Sequence, residues 1–523
     1  MRSWMQSSFE RFGGTPPASV DPALGHAPPR GLEEDTKRLL DEALPRGLPF
    51  GRERQNRSER ASWASVEEVE ALGYRKGDLL IGKFNGKPIG YNDDKPMITI
   101  ASARSGKSST VIIPTLLTYP GSALVLDPKG ELAKATAEHR RRRLGQDVYV
   151  LDPFGCSGLP SAHFNPLAEL DPASLHLVDD MDKIAQSIIV QEGKNAEADH
   201  WTGSAQYATR GAGLYTTTLG ASEQHLASLR ELLTLTYAPL LSATQEVLRR
   251  SGGSQQGGLS EAEIAQQILF KSMANTGDLY GGALAAVGQS FLRKYERERS
   301  SVISTAETQT RFLDSPLLRR VLTRSDFRLS ALRERPTTIF LCMAAGEMPS
   351  HYRWLRLIVR LTLNALERAG PYPRGRLPIL FLMEEFASLG HMELFEQAAA
   401  YFPGFGVKLQ IVLQDLAQLK RHYRHSWETM LGNAGLIQFF ATSDPVTNDY
   451  ISARLGMTSF ALKGRSVDDV TGEAAHKERL IYPQEIEKVF AAPTGRQGLV
   501  VAGRSPVAAL RLSHADVERL YQT

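Results

Sequence analysis

Ile98-Thr-Ile-Ala-Ser-Ala-Arg-Ser-Gly-Lys-Ser-Ser-Thr110 decides the fold. An apolar run enters a loop of small residues, and Gly106-Lys107-Ser108 then opens a segment of helical character. In such a loop, successive backbone N–H groups and the first turn of the helix converge on one place and surround phosphate oxygens. The spacing assigns nucleotide contacts to Ala101, Ser102, Ala103, Arg104, Ser105, Gly106, Lys107, Ser108 and Ser109. Lys107 is expected on the β- and γ-phosphates of ATP, and the Ser108 hydroxyl on Mg2+. The usual pattern has glycine where Ala101 stands, and alanine is tolerated there only while its φ stays negative. The plain alternative is a strand-to-helix turn carrying a chance Gly-Lys-Ser.

A phosphate loop that hydrolyses its nucleotide also needs an acid at the tip of a second buried strand and a group that polarises water. Leu377-Pro-Ile-Leu-Phe-Leu-Met383 is a nearly continuous apolar run, and it ends in Glu384-Glu385. Glu384 is assigned to the metal shell with Ser108, and Glu385 to the general base. Aspartate is usual where Glu384 stands. The extra methylene moves the carboxylate out by roughly 1.5 Å, a shift that a water-mediated Mg2+ contact absorbs. A solvated acidic helix start is the alternative. The next run, Leu409-Gln-Ile-Val-Leu413, ends in Gln414, which either senses the γ-phosphate and orients water or caps the strand. Lys107, Glu384, Glu385 and Gln414 form the candidate catalytic set.

Working outward, further apolar runs at Met97–Ile100, Ala123–Leu126, Val148–Leu151, Thr338–Met343 and Ile437–Ala441 alternate with helix-compatible segments. That alternation predicts an α/β fold with a mostly parallel sheet. Leu79–Tyr91 reads as a hairpin about Asn85-Gly86. From about Val178 to Leu318 the strands stop, and helical spacing appears in Ala205–Leu219, Leu226–Tyr237 and Glu261–Met273, with a flexible loop at Ser251–Gly258. The expected organisation is a weakly ordered tail over 1–60 with one short helix near Leu32–Ala43, a nucleotide-binding domain over 61–177 and 319–523, and an all-α insertion over 178–318.

Composition sets the outer bounds. The 523 residues carry a net charge of +3, so a protein basic all over is excluded and any nucleic-acid contact must be local. The two cysteines, Cys156 and Cys342, make neither a disulfide framework nor a thiolate zinc site, and Cys342 reads as core. Ser108–Leu126 is uncharged over the length of a membrane helix, but Pro114, Pro120 and Gly121 divide it into helix, turn and strand. No membrane span is expected, and the chain reads as cytoplasmic. Arg140-Arg-Arg-Arg143 is either a phosphate-binding run or a solvated helix end. His422 and His425 read as part of a basic face rather than a metal site.

The motifs taken in order resemble the type IV coupling proteins of bacterial conjugation and secretion, the TraG/TraD-type ATPases. Arg104–Ser108 is followed by Ile113-Pro114, Val125-Leu-Asp-Pro-Lys-Gly-Glu131, Leu151-Asp-Pro-Phe154 and Phe164-Asn-Pro-Leu167. His200-Trp201, Met383-Glu-Glu-Phe-Ala-Ser-Leu-Gly390, Gln414-Asp-Leu-Ala-Gln-Leu419, Gly432-Asn-Ala434, Ser443-Asp444 and Ile451–Gly456 complete the series. The resemblance implies a RecA-like P-loop NTPase domain bearing the all-α insertion and an Asp127 near the nucleotide. It further implies a homo-hexameric ATPase that moves DNA with its relaxase, or an effector, to a type IV secretion channel. Such a chain would sit at the periphery of the inner membrane, held there by a partner. The alternative is a receptor that binds ATP and its cargo without hydrolysis. The neighbour-supplied arginine of such rings has only Arg424 and Arg454 as candidates.

Overall fold

The computed structural model describes residues 61–191, 196–250, 259–461 and 475–522. The expected tail over 1–60, its short helix and the loop Ser251–Gly258 lie outside the described residues. One sheet of eleven strands organises the molecule. Its strands are β1 (Leu79–Phe84), β2 (Lys87–Tyr91), β3 (Met97–Ile100), β4 (Ala123–Asp127), β5 (Asp147–Leu151), β6 (Thr337–Cys342), β7 (Ile379–Met383), β8 (Val407–Leu413), β9 (Leu436–Phe439), β12 (Arg496–Val501) and β13 (Val507–Leu510). A separate two-stranded ribbon joins β10 (Met457–Ala461) to β11 (Ala475–Arg479).

The order across the large sheet is β2-β1-β13-β12-β9-β3-β8-β7-β4-β6-β5. From β9 to β5 every neighbour pair is parallel, whereas β12, β13, β1 and β2 add an antiparallel flank. The seven parallel strands are those that the apolar runs predict. They read as uninterrupted runs because both of their faces are covered. On one face lie the helices Ile113–Thr118 and Glu131–Arg142, packed through Leu116, Leu132 and Ala133. On the other lies Met348–Arg368, whose Trp354, Leu357 and Ile358 join the same core cluster as Ile98, Leu126 and Phe381.

Between β5 and β6 the described chain is helical, from Leu177–Ile188 through Ala196–Thr216, Leu226–Leu233, Glu261–Ala274 and Glu296–Thr310 to Pro316–Val321. Leu226–Leu233 stops short of Tyr237 because Leu235 turns left-handed, with φ 58°. Buried Arg230 forks onto Asp314 at 2.9 and 2.8 Å, which ties this helix to the end of Glu296–Thr310. The hairpin of β1 and β2 turns on Asn85 and Gly86, with φ of 48° and 74°, as an Asn-Gly turn of this type requires. Among the described residues no helix is long and apolar enough to cross a membrane.

Candidate nucleotide site

β3, β8 and β7 are consecutive in the sheet, so their carboxyl ends bring Ala101–Ser108, Gln414 and Glu384-Glu385 to one edge. Ala101 is fully buried, and its N–H donates to Leu413 O at 2.9 Å. It is absent from the left-handed residues, so a Cβ is accommodated where glycine is usual. The tight conformations fall later in the loop, at Arg104 (φ 59°) and Gly106 (φ 88°). Ser102 Oγ donates to Ala441 O at 2.9 Å, which ties the other side of the loop to the strand end of β9. Beyond Lys107 the chain makes one wide helical turn, Ser108–Ile112, before Ile113–Thr118. Pro114 lacks the N–H that a regular turn would need there, and a widened turn takes up the misfit.

The acidic pair splits. Glu384 is buried, and its Oε1 accepts a hydrogen bond from Ser108 Oγ at 3.0 Å. Burial first, and the neighbouring Asp127 second, push its carboxyl up to about 7 against the opposing pull of Lys107 and Ser108. Glu385 takes the left-handed φ of 52°, a costly conformation for a residue with a Cβ. Its carboxylate is fixed from two sides: Gln414 Nε2 donates to both oxygens at 2.9 Å, and Lys107 Nζ lies 3.8 Å from Oε1. Asp415 accepts from Gln418 N at 2.9 Å and starts the helix Leu416–His422, which leaves Gln414 as the tip of β8.

Asp127 ends β4, beside β7, and is fully buried. Its Oδ2 accepts from Ala133 N at 2.8 Å and from the Cys342 thiol at 3.7 Å, while Oδ1 is buried without a partner. Burial pushes its carboxyl up to about 6. Asp127 therefore holds the helix Glu131–Arg142 with one oxygen and borders Glu384 with its charge. Cys342 is core, as expected.

Glu384 and Glu385 both interact with the Lys107 ammonium, Asp127 lies beside Glu384, and the Ser108 hydroxyl meets Glu384. Such a sparse set of hard oxygens suits Mg2+, which keeps most of its coordination for water and phosphate. The loop, with two left-handed residues and a helix start, is the matching anion cradle. The buried Ser105 Oγ in it has no partner. Both halves of the expected metal–nucleotide pair fit these residues.

The Arg140–Arg143 run departs from a phosphate-binding face. Arg140 is fully buried and donates to Thr338 Oγ1, Tyr119 O and Gly121 O at 2.7, 3.1 and 2.9 Å, and also to Leu116 O. Arg141 and Arg142 pair with Glu138 on their own helix. Lys420 lies 4.3 Å over the Trp427 ring, and Arg424 and Arg454 are exposed. One residue at the site escaped the sequence reading altogether. Arg511, beyond β13, donates from Nη1 to Ser105 O at 2.8 Å. Its signal was a lone arginine inside the apolar run Val507–Leu512.

The family model described as type IV secretory system conjugative DNA transfer matches residues 58–513. The conjugal transfer protein TraG of Escherichia coli is 27% identical over 439 residues, covering 76% of this chain and 64% of that protein. The protein VirD4 of Rhizobium radiobacter is 26% identical over 420 residues, covering 78% of this chain and 56% of its own length. The chain thus spans about three-fifths of the curated relatives it matches. Among solved structures, the plasmid coupling protein TrwB in complex with the ATP analogue ADPNP superposes with a TM-score of 0.61 at 16% identity, over 89% of this chain and 95% of that one. TrwB in complex with ADP and Mg2+ gives 0.60 at 16% identity, over 89% and 96%. At that identity the likeness shows the fold.

Proposed function

This chain belongs to the type IV secretory system conjugative DNA transfer family, and from that premise we propose that it is an ATP-hydrolysing coupling protein. It moves DNA with its bound relaxase, or a protein effector, towards a type IV secretion channel. It works as a homo-hexamer at the cytoplasmic face of the inner membrane, where a partner holds it. The observation that carries this reading is the convergence of Lys107, Glu384, Glu385 and Gln414 on three adjacent strand tips, with Ser108 Oγ already 3.0 Å from Glu384 Oε1. The TrwB complexes with ADPNP and with ADP and Mg2+ support the choice of ligand.

Residues 101–109 hold the nucleotide, their backbone N–H groups and the Lys107 ammonium balancing the phosphate charge. Asp127 borders the same pocket through Glu384. Ser108 and Glu384 would hold Mg2+, which would supply charge neutralisation at the phosphate oxygens. Burial, Asp127 and Glu385 raise the Glu384 carboxyl, and a bound cation would favour its ionised form, the proton leaving to solvent. Glu385 takes a proton from the attacking water at a carboxylate oxygen. Gln414 orients that carboxylate, and when it lets one oxygen go it can turn its amide to the water instead.

The geometry at the two departures that favour a non-hydrolysing receptor supports the hydrolysing reading. Ala101 needs no positive φ, and Glu384 reaches the Ser108 hydroxyl despite its extra methylene. Titrating a fluorescent ATP analogue with Mg2+ tests the site. Wild type is expected to bind, Lys107→Ala to lose affinity by about 100-fold, and Ser108→Ala to lose the Mg2+ dependence. Equal affinity in all three sinks the assignment.

A further inference from the structure

Arg511 joins three separate segments at the rim of the nucleotide site. From a buried position its Nε donates to Arg496 O at 2.9 Å, Nη2 to Phe490 O at 2.6 Å and Nη1 to Ser105 O at 2.8 Å. The guanidinium lies 3.9 Å from the centre of the Phe440 ring, at the end of β9. Burial lowers its pKa only to about 10, so it is charged at neutral pH. Among the described residues its hydrogen-bond partners are backbone carbonyls and it has no ion pair with a carboxylate. A buried cation without a counter-charge is costly, and a neighbouring anion removes the cost.

The contact with Ser105 O also sets geometry. The Ser105–Gly106 peptide bond is trans, so its C=O and N–H point in opposite directions. With the carbonyl held by Arg511, the Gly106 N–H faces away from the guanidinium, between two residues of left-handed or turn conformation whose N–H groups can serve an anion. A flip of this plane would bring a carbonyl oxygen into the anion cradle. We infer that Arg511 is a positioning residue for nucleotide binding: it locks the Ser105–Gly106 peptide in its phosphate-accepting orientation, and the nucleotide polyphosphate is the anion that balances its charge. The inference rests on the nucleotide-site reading. It also gives the antiparallel flank a task, since β12 and β13 carry the clamp to the loop.

The test titrates wild type, Arg511→Met and Arg511→Lys with mant-ATP and Mg2+, and follows phosphate release for KM and kcat. The methionine is expected to raise Kd and KM about tenfold with kcat within about threefold of wild type. The lysine keeps the charge but reaches a single carbonyl, and is expected to raise both about three- to fivefold. A folded Arg511→Met protein with wild-type Kd overturns the inference. Should the methionine variant fail to fold, a lysine variant with wild-type Kd does the same. Hydrogen exchange on the wild type adds an independent arm: ATP with Mg2+ is expected to protect amides of 507–512 together with those of 102–107, and protection of the loop alone contradicts the clamp. Lys107→Ala separates the two levels. If wild type binds, Lys107→Ala does not, and the Arg511 variants bind normally, the nucleotide site stands and only this inference falls. If wild type itself fails to bind, both fall.

Discussion

Ala101 shows how a single position is judged by its backbone rather than by its motif. The loop's sequence already named the cradle, the lysine and the serine, because phosphate binding needs those types at that spacing. It could not say whether alanine was tolerated, since that depends on φ. The structure puts the left-handed backbone at Arg104, Gly106 and Glu385 instead, with strain at the two that carry a Cβ. Ala101→Gly is therefore expected to leave nucleotide affinity within about twofold and to lower unfolding free energy by about 0.5–1 kcal/mol, as a denaturant titration would read. Glu385→Gln separates binding from chemistry. The amide fills the same space but accepts no proton, so ATP binding is expected within about threefold of wild type while phosphate release falls by about 100-fold or more. Arg511 was illegible because its partners are backbone carbonyls from three segments, a relation that no local pattern announces.

At the scale of elements, the parallel strands were legible because burial on both faces leaves little but apolar residues. β12 and β13 were missed for the opposite reason: Arg496, Gln497 and Gly498 break the first run, and the second is short, alanine-rich and partly exposed. In the arginine run, Arg141–Arg143 form the solvated helix end that was one of the two readings, whereas Arg140 sits on the buried side of its helix and spends its donors on the turn at Leu116–Gly121. Arg140→Met is expected to cost roughly 3–5 kcal/mol by stranding those carbonyls, and to leave the salt dependence of DNA binding unchanged. Lys408, buried near the start of β8, carries the reverse expectation. Burial lowers its pKa from 10.5 to about 8, against the pull of Asp78, Asp93 and Asp94. The folded state thus holds fewer protons than the unfolded one between those values. Stability should rise with pH from about 8 to 10.5, and the penalty is complete below 8. Lys408→Met should remove that slope and add roughly 1–3 kcal/mol at pH 7, measured by denaturant titration at several pH values.

At the scale of the molecule, the net charge of +3 says little, because a ring can gather its basic residues along a channel and leave the exterior near neutral. What the sequence did convey was the order of the motifs, and the sheet makes that order a place: residues 101, 384 and 414 are far apart in the chain yet lie on neighbouring strands. The helices between β5 and β6 were legible as composition and period, but their packing onto the face that holds Met348–Arg368 was not, since that depends on contacts between distant segments. The proposed motor requires coupling between this edge of the sheet and a nucleic acid. Steady-state phosphate release by the purified chain, with and without DNA, measures that coupling directly. Hydrolysis that DNA stimulates, and that Lys107→Ala abolishes, is the predicted result. Release that DNA leaves unchanged, or that persists in Lys107→Ala, would contradict it.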